Sequence, residues 1–434
     1  PGLDRLVDRR IHTGNIVAMF TLAAAIDAQR GRGRRGILRA ASRAMARDRI
    51  IGYLETQQNP NGSWNSATIQ TLTLMVGYAA AGLDRNDPRI QRAHAFVERH
   101  KIRDDGKLTM LGFTTETWTT SYAMLALDAC DGDHDDAARR GASFLLAVQS
   151  KTPQPRYTQP QRDAVRTGGW PFEAGNALMP DCDDTGVALE ALGVWQRRQR
   201  SRMVECAIRD GIAWLEAMQN PSGGWAAYVW GLADKPPGPA FLHAPELRLD
   251  DPRAWISMLR DPPVELSDPA WEDITARVLS GLGACGLGPE HPMVARAIEF
   301  LAAQQCDNGA WWGRWISCYL PATAHALMGL AAVGSRHPMA CRAIAWLASC
   351  QNEDGGWGER VDVYRSPRQA GRGASNPCAT GLVVSALVDS GLAGDAMTRR
   401  GVDYLIEAQR DDGSWSNDSF VHVLVPPDAF YVLG

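Results

Sequence analysis

The chain has 434 residues, of which 45% are hydrophobic and 22% charged, and its formal net charge is −4 at pH 7. This composition is typical of a globular protein with one or two domains, and the near-balanced charge argues against a nucleic-acid-binding surface. The nine cysteines are scattered without a C-x-x-C pair, which argues against a disulfide framework or a thiolate zinc site and favours a cytoplasmic protein. The longest strongly apolar run, residues 16–26, is too short to span a bilayer.

Residues 1–45 are predicted to form an N-terminal helical segment and a basic linker, which either join the main domain or pack against it. The stretch "QRGRGRRGILRAASRAMAR" contains seven arginines and no acidic residue. These arginines are Arg30, Arg32, Arg34, Arg35, Arg39, Arg43 and Arg47. Two interpretations stay open: a solvated linker and helix face, or a surface that contacts anionic lipid or a diphosphate.

A repeated turn organises the sequence from residue 46 onward. The stretches "QNPNGSW", "QNPSGGW", "QCDNGAW", "QNEDGGW" and "QRDDGSW" each place a Gln six residues before a Trp, and a sixth copy is stretched between Gln149 and Trp170. An apolar, helix-like segment precedes each Gln, and the Asn/Asp-Gly dipeptides favour a helix end followed by a tight turn. We therefore predict helix–turn–helix units whose Gln and Trp side chains stabilise the turns.

The segments that follow the turns are predicted to be buried inner helices. "TAHALMGLAAVG" and "ATGLVVSALVDSG" carry small and aliphatic residues on several faces, and no convincing run has the two-residue alternation of a strand. Six helix pairs predict an all-α fold, an (α/α)6 double-ring barrel that spans residues 46–434. Residues 228–271 break this rhythm and are predicted to form a long loop over one mouth of the barrel.

An acidic cluster precedes one of the predicted inner helices. Asp181, Asp183 and Asp184 lie within "DCDDTGVALEAL". Protonation of an alkene requires a neutral acid in a dry site, and both burial and neighbouring carboxylates favour retention of a proton. Aromatic faces stabilise the resulting carbocation without acting as nucleophiles. The cluster agrees with such chemistry, which needs no metal; the alternative is a solvated turn in which Asp184 caps the helix.

The turns are similar to the QW motifs of the squalene-hopene cyclase family, and "DCDDTG" resembles that family's D-x-D-D-T-A motif. The segments "GGWPFEAGNALMP", "DPAWEDITARVL", "WWGRWISCYL" and "PPDAFYVLG" resemble the family in the same order. This resemblance implies a class II terpene cyclase in which Asp183 donates the proton and Asp181 and Asp184 hold or orient it. No cofactor is implied, and Mg²⁺ only if the substrate is a diphosphate. Full-length members carry two barrels, so either a second domain was removed here or this is a single-domain member.

The resemblance also implies a set of cavity residues, for each of which ordinary core packing is the alternative. These candidates are Phe172, Tyr228, Trp315 and Phe430, and Trp118 is a further one. The turn tryptophans are assigned to stability and not to catalysis.

Two residues are candidates for modulating the acid. Arg277 replaces the His that commonly hydrogen-bonds the family's acid, and Asp273 lies one helical turn earlier. A permanent cation beside Asp183 is expected to lower the pKa of that carboxyl. Three arrangements for Arg277 stay open: pairing with Asp181 or Asp184, binding of an anionic substrate group, or a structural ion pair with Asp273 or Glu272.

The leading functional prediction is a proton-initiated cyclase that acts on the terminal alkene or epoxide of a linear polyprenyl chain. A prenylated aromatic or a farnesyl- to geranylgeranyl-type substrate is favoured, and cyclisation of squalene to a hopene-like product is the alternative. A zinc-dependent prenyltransferase subunit would have to use His325 and Cys318 as ligands, and a non-catalytic lipid-binding scaffold is the alternative from another class. The expected partner is a hydrophobic small molecule. A monomer or homodimer in the cytoplasm is expected, and by analogy with the family peripheral contact with the inner face of the membrane stays open.

Overall fold

A computed structural model describes residues 37–104, 106–151, 167–177, 179–231, 235, 237–238, 268–316, 318–360, 363, 367–416, 422–425 and 429–431. Side chains are described for these residues except 37–46, 104 and 422–431. Of the arginine-rich stretch, only the side chain of Arg47 is therefore described, and it pairs with Asp48 at 3.0 Å. Most of the predicted loop between residues 228 and 271 also lies outside the described residues.

Within these residues the chain is mainly helical. The helices are α1 Ile37–Thr56, α2 Thr68–Ala80, α3 Pro88–Arg99, α4 Glu116–Ala129, α5 Asp135–Val148, α6 Cys182–Arg198, α7 Arg202–Met218, α8 Glu272–Ala284, α9 Pro292–Gln304, α10 Tyr319–Ala332, α11 Met339–Cys350, α12 Pro377–Asp389 and α13 Ala396–Ala408. A 3₁₀ turn covers Pro367–Gln369. Three antiparallel two-stranded sheets pair β1 Lys101–Asp104 with β2 Lys107–Met110, β3 Trp170–Pro171 with β4 Pro180–Asp181, and β5 His422–Val425 with β6 Ala429–Tyr431.

After α1, the helices form six successive pairs, from α2/α3 to α12/α13, and the two members of each pair pack together. The first members of the pairs also pack on one another in the order α4, α6, α8, α10, α12. Helices α8 and α10 are buried along nearly their whole length; α10 has no Asp, Glu, Lys or Arg, whereas α8 buries Glu272, Asp273 and Arg277. This arrangement confirms the predicted all-α barrel with inner and outer helices.

The repeated turns join each outer helix to the next inner helix with the same hydrogen-bond geometry. Each turn Trp donates its indole N–H to a Leu carbonyl of the preceding helix at 2.7–2.8 Å. Each Gln side chain donates to the carbonyl of the turn glycine, as Gln305 does to Gly309 at 2.8 Å. In the first five turns it also donates to the next outer helix, as Gln305 does to Met339 at 2.9 Å. The Trp bonds satisfy carbonyls near the C-terminal end of each outer helix, and the Gln bonds connect the turn to the next outer helix.

The turn glycine is required by its backbone conformation and by its neighbour. Gly309 has φ of 95°, and a Cβ there would lie 2.7 Å from the carbonyl oxygen of Arg342. A threonine of the inner helix completes the turn, because its hydroxyl accepts the backbone N–H of the turn Trp at 2.9–3.1 Å. These threonines are Thr71, Thr185, Thr275, Thr323 and Thr380.

Glycines bring the inner helices α6 and α8 unusually close. A Cβ at Gly281 would lie 2.2 Å from the carbonyl oxygen of Gly186, so only a glycine fits at this crossing. Asp183 and Arg277 lie within about one turn of the crossing, on α6 and α8 respectively. The close approach therefore sets the distance between these two side chains.

Helix α1 is continuous across residues 45 and 46, where the sequence placed a domain boundary. The division into residues 1–45 and 46–434 stays a prediction.

Candidate active site

The acidic cluster lies at the N-terminus of α6 and is held there by a cap. Asp181 is the N-cap residue, and its carboxylate accepts the backbone N–H of Asp184 at 2.7 Å. The Thr185 hydroxyl donates to the Asp181 carbonyl at 2.6 Å, and the same hydroxyl accepts the backbone N–H of Trp170. The repeat turn and the helix cap therefore share one threonine, which fixes the cluster relative to the turn.

Asp183 forms a two-point ion pair with Arg277, which projects from α8. Arg277 donates through Nε to Oδ1 of Asp183, and through Nη2 to Oδ2 at 2.7 Å. The side chain of Arg277 is 2% exposed and that of Asp183 14% exposed, so the pair is largely removed from water. Such bidentate geometry is the strong form of a carboxylate–guanidinium contact.

Asp273 and two aromatic residues surround the same guanidinium. The Asp273 carboxylate lies 3.8 Å from Nη2 of Arg277 and accepts the backbone N–H of Trp315 at 2.9 Å. The guanidinium carbon lies 5.3 Å from the ring centroid of Trp118, which is a cation–π arrangement. The remaining nitrogen, Nη1, is buried and has no hydrogen-bond partner within the described part of the chain.

Burial favours the protonated forms of Asp181 and Asp184. It raises the pKa of both carboxyls well above their usual range, and for each the second cause is the charge of a neighbouring aspartate. One oxygen of each, Oδ2 of Asp181 and Oδ1 of Asp184, is buried without a partner among the described residues. Two carboxyls in this arrangement share protons instead of ionising together.

Asp183 differs from its two neighbours because a cation contacts it. Burial raises its pKa, the charge and hydrogen bonds of Arg277 lower it, and the charge of Asp273 raises it again, with a net increase. The expected lowering by Arg277 is therefore present but smaller than the effect of burial. Asp183 remains the strongest acid of the three, because Arg277 stabilises its ionised form more than theirs.

Tyr228 and Trp315 lie beside the cluster. Their ring centroids are 6.1 Å apart and the rings meet edge to face. Burial is the largest cause of the raised pKa of Tyr228, and the charges of Asp181 and Asp184 raise it further. The backbone around Tyr228 is held by Asp268, whose carboxylate accepts the N–H groups of residues 227, 228 and 229 at 2.6–3.2 Å. The predicted cavity residue Tyr228 is thus fixed close to the acids.

Phe172 and Phe430 are less closely connected to the cluster. Phe172 follows β3, which pairs with β4 so that Trp170 faces Asp181, and its ring contacts Phe113 edge to face at 6.3 Å. Phe430 lies in β6 opposite Val423, but its side chain is outside the described residues.

The predicted cavity aromatics differ in burial from the turn tryptophans. Phe172, Tyr228, Trp315 and Trp118 are each only partly buried. All the turn tryptophans except Trp415 are completely buried. This contrast agrees with the separation of lining residues from structural ones.

Two sequence interpretations were wrong. The helix is capped by Asp181 and not by Asp184, because the N-cap must lie outside the helix while Asp184 is within its first turn. Arg277 does not pair with Asp181 or Asp184: its partner is Asp183 itself, with Asp273 at a longer distance. Glu272 pairs instead with the buried Lys235 at 2.7 Å.

Sequence reasoning missed two residues that shape the site. Asp268 was present in the segment "DPAWEDITARVL", but its bonds to a backbone segment 40 residues away depend on the fold. Tyr122 lies one helical turn after Trp118, with the two rings 5.0 Å apart, and that spacing was a signal for a shared face.

Neither a metal cluster nor a spanning helix is found in the described ranges. No group of three or more His, Cys, Asp or Glu side chains there is arranged to hold a metal ion. No helix there is long and apolar enough to cross a membrane.

Comparison with known proteins identifies the family. Residues 114–235 and 260–433 match the family described as the squalene-hopene cyclase C-terminal domain. These ranges make up most of the chain and include the acidic cluster, Arg277 and all five predicted cavity aromatics. The chain belongs to the squalene-hopene cyclase family.

Individual relatives agree with this assignment. The chain is 35% identical over 400 residues to squalene–hopene cyclase of Alicyclobacillus acidocaldarius. The aligned region covers 90% of this chain and 59% of that protein. It is 33% identical over 361 residues to squalene-hopene cyclase of Schizosaccharomyces japonicus, covering 81% of this chain and 52% of that protein. The chain therefore spans little more than half the length of these relatives. In fold it is similar to ent-copalyl diphosphate synthase from Streptomyces platensis, with a TM-score of 0.52, 18% identity, and coverage of 84% of this chain and 55% of that one.

Proposed function

We propose that this protein is a class II, proton-initiated terpene cyclase and that Asp183 is its acid. The observation that carries the proposal is the Asp183–Arg277 pair: a buried carboxyl whose pKa is raised by burial but whose ionised form is held at two points by a guanidinium. Burial keeps the proton in place, and Arg277 increases the tendency to release it. Family membership and the partly buried aromatics support the same chemistry.

The reaction begins when the Asp183 hydroxyl transfers its proton to the terminal double bond. An alkene carbon gains the hydrogen, the adjacent carbon becomes cationic, and Asp183 becomes a carboxylate. The two bonds from Arg277 are suited to this carboxylate, so they stabilise the enzyme side of the charge-separated state more than the starting acid. No metal or cofactor is required for this step.

Asp181 and Asp184 support the acid without contacting Arg277. Their raised pKa values keep protons in the cluster, and the Asp181 cap holds Asp183 in the first turn of α6. Tyr228, Trp315 and Trp118 supply aromatic surface beside the cluster, where a carbocation is attracted by the ring faces.

We further propose a linear polyprenyl substrate smaller than squalene, such as a prenylated aromatic or a geranylgeranyl-type chain. A substrate other than squalene is proposed because Arg277 stands where the family has a His. If the substrate is a diphosphate, Mg²⁺ would be bound with it. Squalene remains the alternative substrate. A cytoplasmic location, with peripheral membrane contact for access to an oily substrate, is part of the proposal.

The test is product analysis with three substrates supplied separately: squalene, geranylgeranyl diphosphate with Mg²⁺, and a geranylgeranylated hydroxybenzoate. We expect cyclic products from at least one and none from Asp183→Asn, which retains the shape but has no transferable acid proton. Asp210→Asn, an exposed residue on α7, is the matched control and should retain full activity. Turnover by Asp183→Asn at the wild-type rate would refute the assignment of the acid, and failure with all three substrates would favour a non-catalytic lipid-binding protein.

A further inference from the structure

A third acidic residue of α6, Glu190, lies outside the acidic cluster. Glu190 lies seven residues after Asp183, a spacing that places both on one face of the helix and about 10 Å apart along its axis. The surrounding residues of α6 are apolar and almost all buried. A carboxyl in this position is not needed for helix formation or for solubility.

The charges that act on Glu190 and the groups that it affects belong to three other helices. The charge of Asp389, the last residue of α12, raises the pKa of Glu190 after burial has done so. The charge of Glu190 in turn raises the pKa of Tyr122 on α4 and of Cys285, which follows α8. Because α4 and α8 pack on the two sides of α6, we place Glu190 on the face of α6 that lies between these two helices.

The charges of both the acidic cluster and Glu190 reach Tyr122. Arg277, Glu190 and Asp183 all affect the pKa of its hydroxyl, and its ring packs against Trp118. The rings of Trp118 and Tyr122 therefore provide aromatic surface near these charged groups. Such faces stabilise cationic intermediates that would otherwise be captured by water.

Glu190 has the features required of a base. Within the described part of the chain its carboxylate has no hydrogen bond or ion pair that would block access to a substrate. Burial, and after it the charge of Asp389, raise its pKa to about 7. A general base is most effective when its pKa is close to the working pH.

From this placement we propose that Glu190 is the base that ends the cyclisation by removing a proton from the final carbocation. This inference rests on the proposed function. The C–H bond next to the cationic carbon breaks, its electron pair forms a new C=C bond, and the proton passes to the Glu190 carboxylate. Because Asp183 supplies one proton and Glu190 removes one, the overall reaction is an isomerisation.

The test compares wild type with Glu190→Gln, using the three substrates named above. Asp183 is unchanged, so substrate consumption should stay within about threefold, whereas general-base contributions of 10²–10⁴ lead us to expect at least a tenfold fall in the dominant cyclic alkene. Alcohols from water capture or mixed alkene isomers should replace it. Glu205→Gln, on the exposed side of α7, is the matched control and should retain the wild-type products. An unchanged product distribution in Glu190→Gln, or loss of all substrate consumption, would overturn the proposal.

A binding measurement separates this proposal from the function itself. Farnesyl dimethylamine carries an ammonium group that imitates a carbocation. Above pH 7, where Glu190 is ionised, wild type should bind this amine at least tenfold more tightly than Glu190→Gln, and the difference should disappear below pH 6. Equal affinities at pH 8 would refute the assignment of Glu190. If wild type binds the amine more tightly than Glu190→Gln but cyclises none of the substrates, the cation site at Glu190 is supported and the proposed cyclase function is rejected.

Discussion

Replacement of Arg277 by methionine tests the most distinctive contact of the site. Methionine has a similar volume and no charge, so the change removes both hydrogen bonds to Asp183 and leaves packing nearly intact. Asp183 is then a buried carboxyl without a cation. Loss of one partner of a buried ion pair is typically destabilising by about 3–5 kcal/mol.

Protonation of Asp183 limits this cost, and the folded wild type also retains this proton. An Asp with a pKa of 3.8 in the unfolded chain takes up a proton when either protein folds, which at pH 7 costs about 4 kcal/mol at 1.4 kcal/mol per unit. At pH 5 the same step costs about 1.6 kcal/mol. Both proteins should therefore be more stable at pH 5 than at pH 7, whereas the destabilisation by Arg277→Met should be nearly the same at the two pH values.

Urea unfolding followed by circular dichroism at the two pH values measures this difference. Asp183→Asn should leave Arg277 charged and paired only with Asp273, because guanidinium does not lose its proton, and should therefore also lower stability. The double variant Asp183→Asn/Arg277→Met should recover much of the stability lost in the single variants. Arg209→Met, at an exposed pair with Asp210, is the control and should leave the midpoint nearly unchanged. A loss for Arg277→Met that falls by more than half between pH 7 and pH 5 would show that Asp183 is ionised in the folded wild type, and no recovery in the double variant would show that Arg277 does not act through Asp183.

Two further variants test buried groups outside the acidic cluster. Burial raises the pKa of Glu173 to about 9, so the folded protein retains a proton that the unfolded chain releases, and stability should decrease as pH rises from about 4.5 to 9 by up to about 1.4 kcal/mol per unit. Glu173→Gln keeps an acceptor for the Thr114 N–H and should flatten this dependence in urea unfolding; an unchanged slope would mean that the carboxyl is ionised in the folded state. Gly281→Ala places a methyl group against the Gly186 carbonyl and should cost about 1–3 kcal/mol and lower activity, whereas Gly394→Ala, in open space, should do neither. Equal stability of these two variants would contradict the tight α6–α8 crossing.

The repeat could be predicted because its interactions are local and recur. Trp311 donates to Leu301, only ten residues away, and Gln305 reaches the turn glycine four residues later. The pattern of Gln, Gly and Trp in the sequence therefore reports the turn itself. The partner of the Trp backbone N–H was not visible, because the threonine follows at distances from seven to fifty residues.

The Asp183–Arg277 pair was harder to predict because 94 residues separate its members. Both residues were identified, but their pairing depends on the rotation and spacing of α6 and α8. The glycine contact between Gly186 and Gly281 sets that spacing. A one-dimensional motif contains no information about it, so the sequence left several partners for Arg277 open.

The charge balance of the site explains why protons are retained there. Asp181, Asp183, Asp184 and Asp273 are clustered. Among the described residues, Arg277 is the cation that forms ion pairs with this cluster. If all four carboxyls were ionised, four negative charges would face one positive charge in a region of low dielectric, which is strongly unfavourable. Protonation of Asp181 and Asp184 relieves this, and protonation of Asp183 brings the cluster close to neutrality. A second cation in the cluster would therefore ionise the acids and remove the proton that the proposed reaction needs, whereas one cation leaves Asp183 protonated and still the strongest acid of the three.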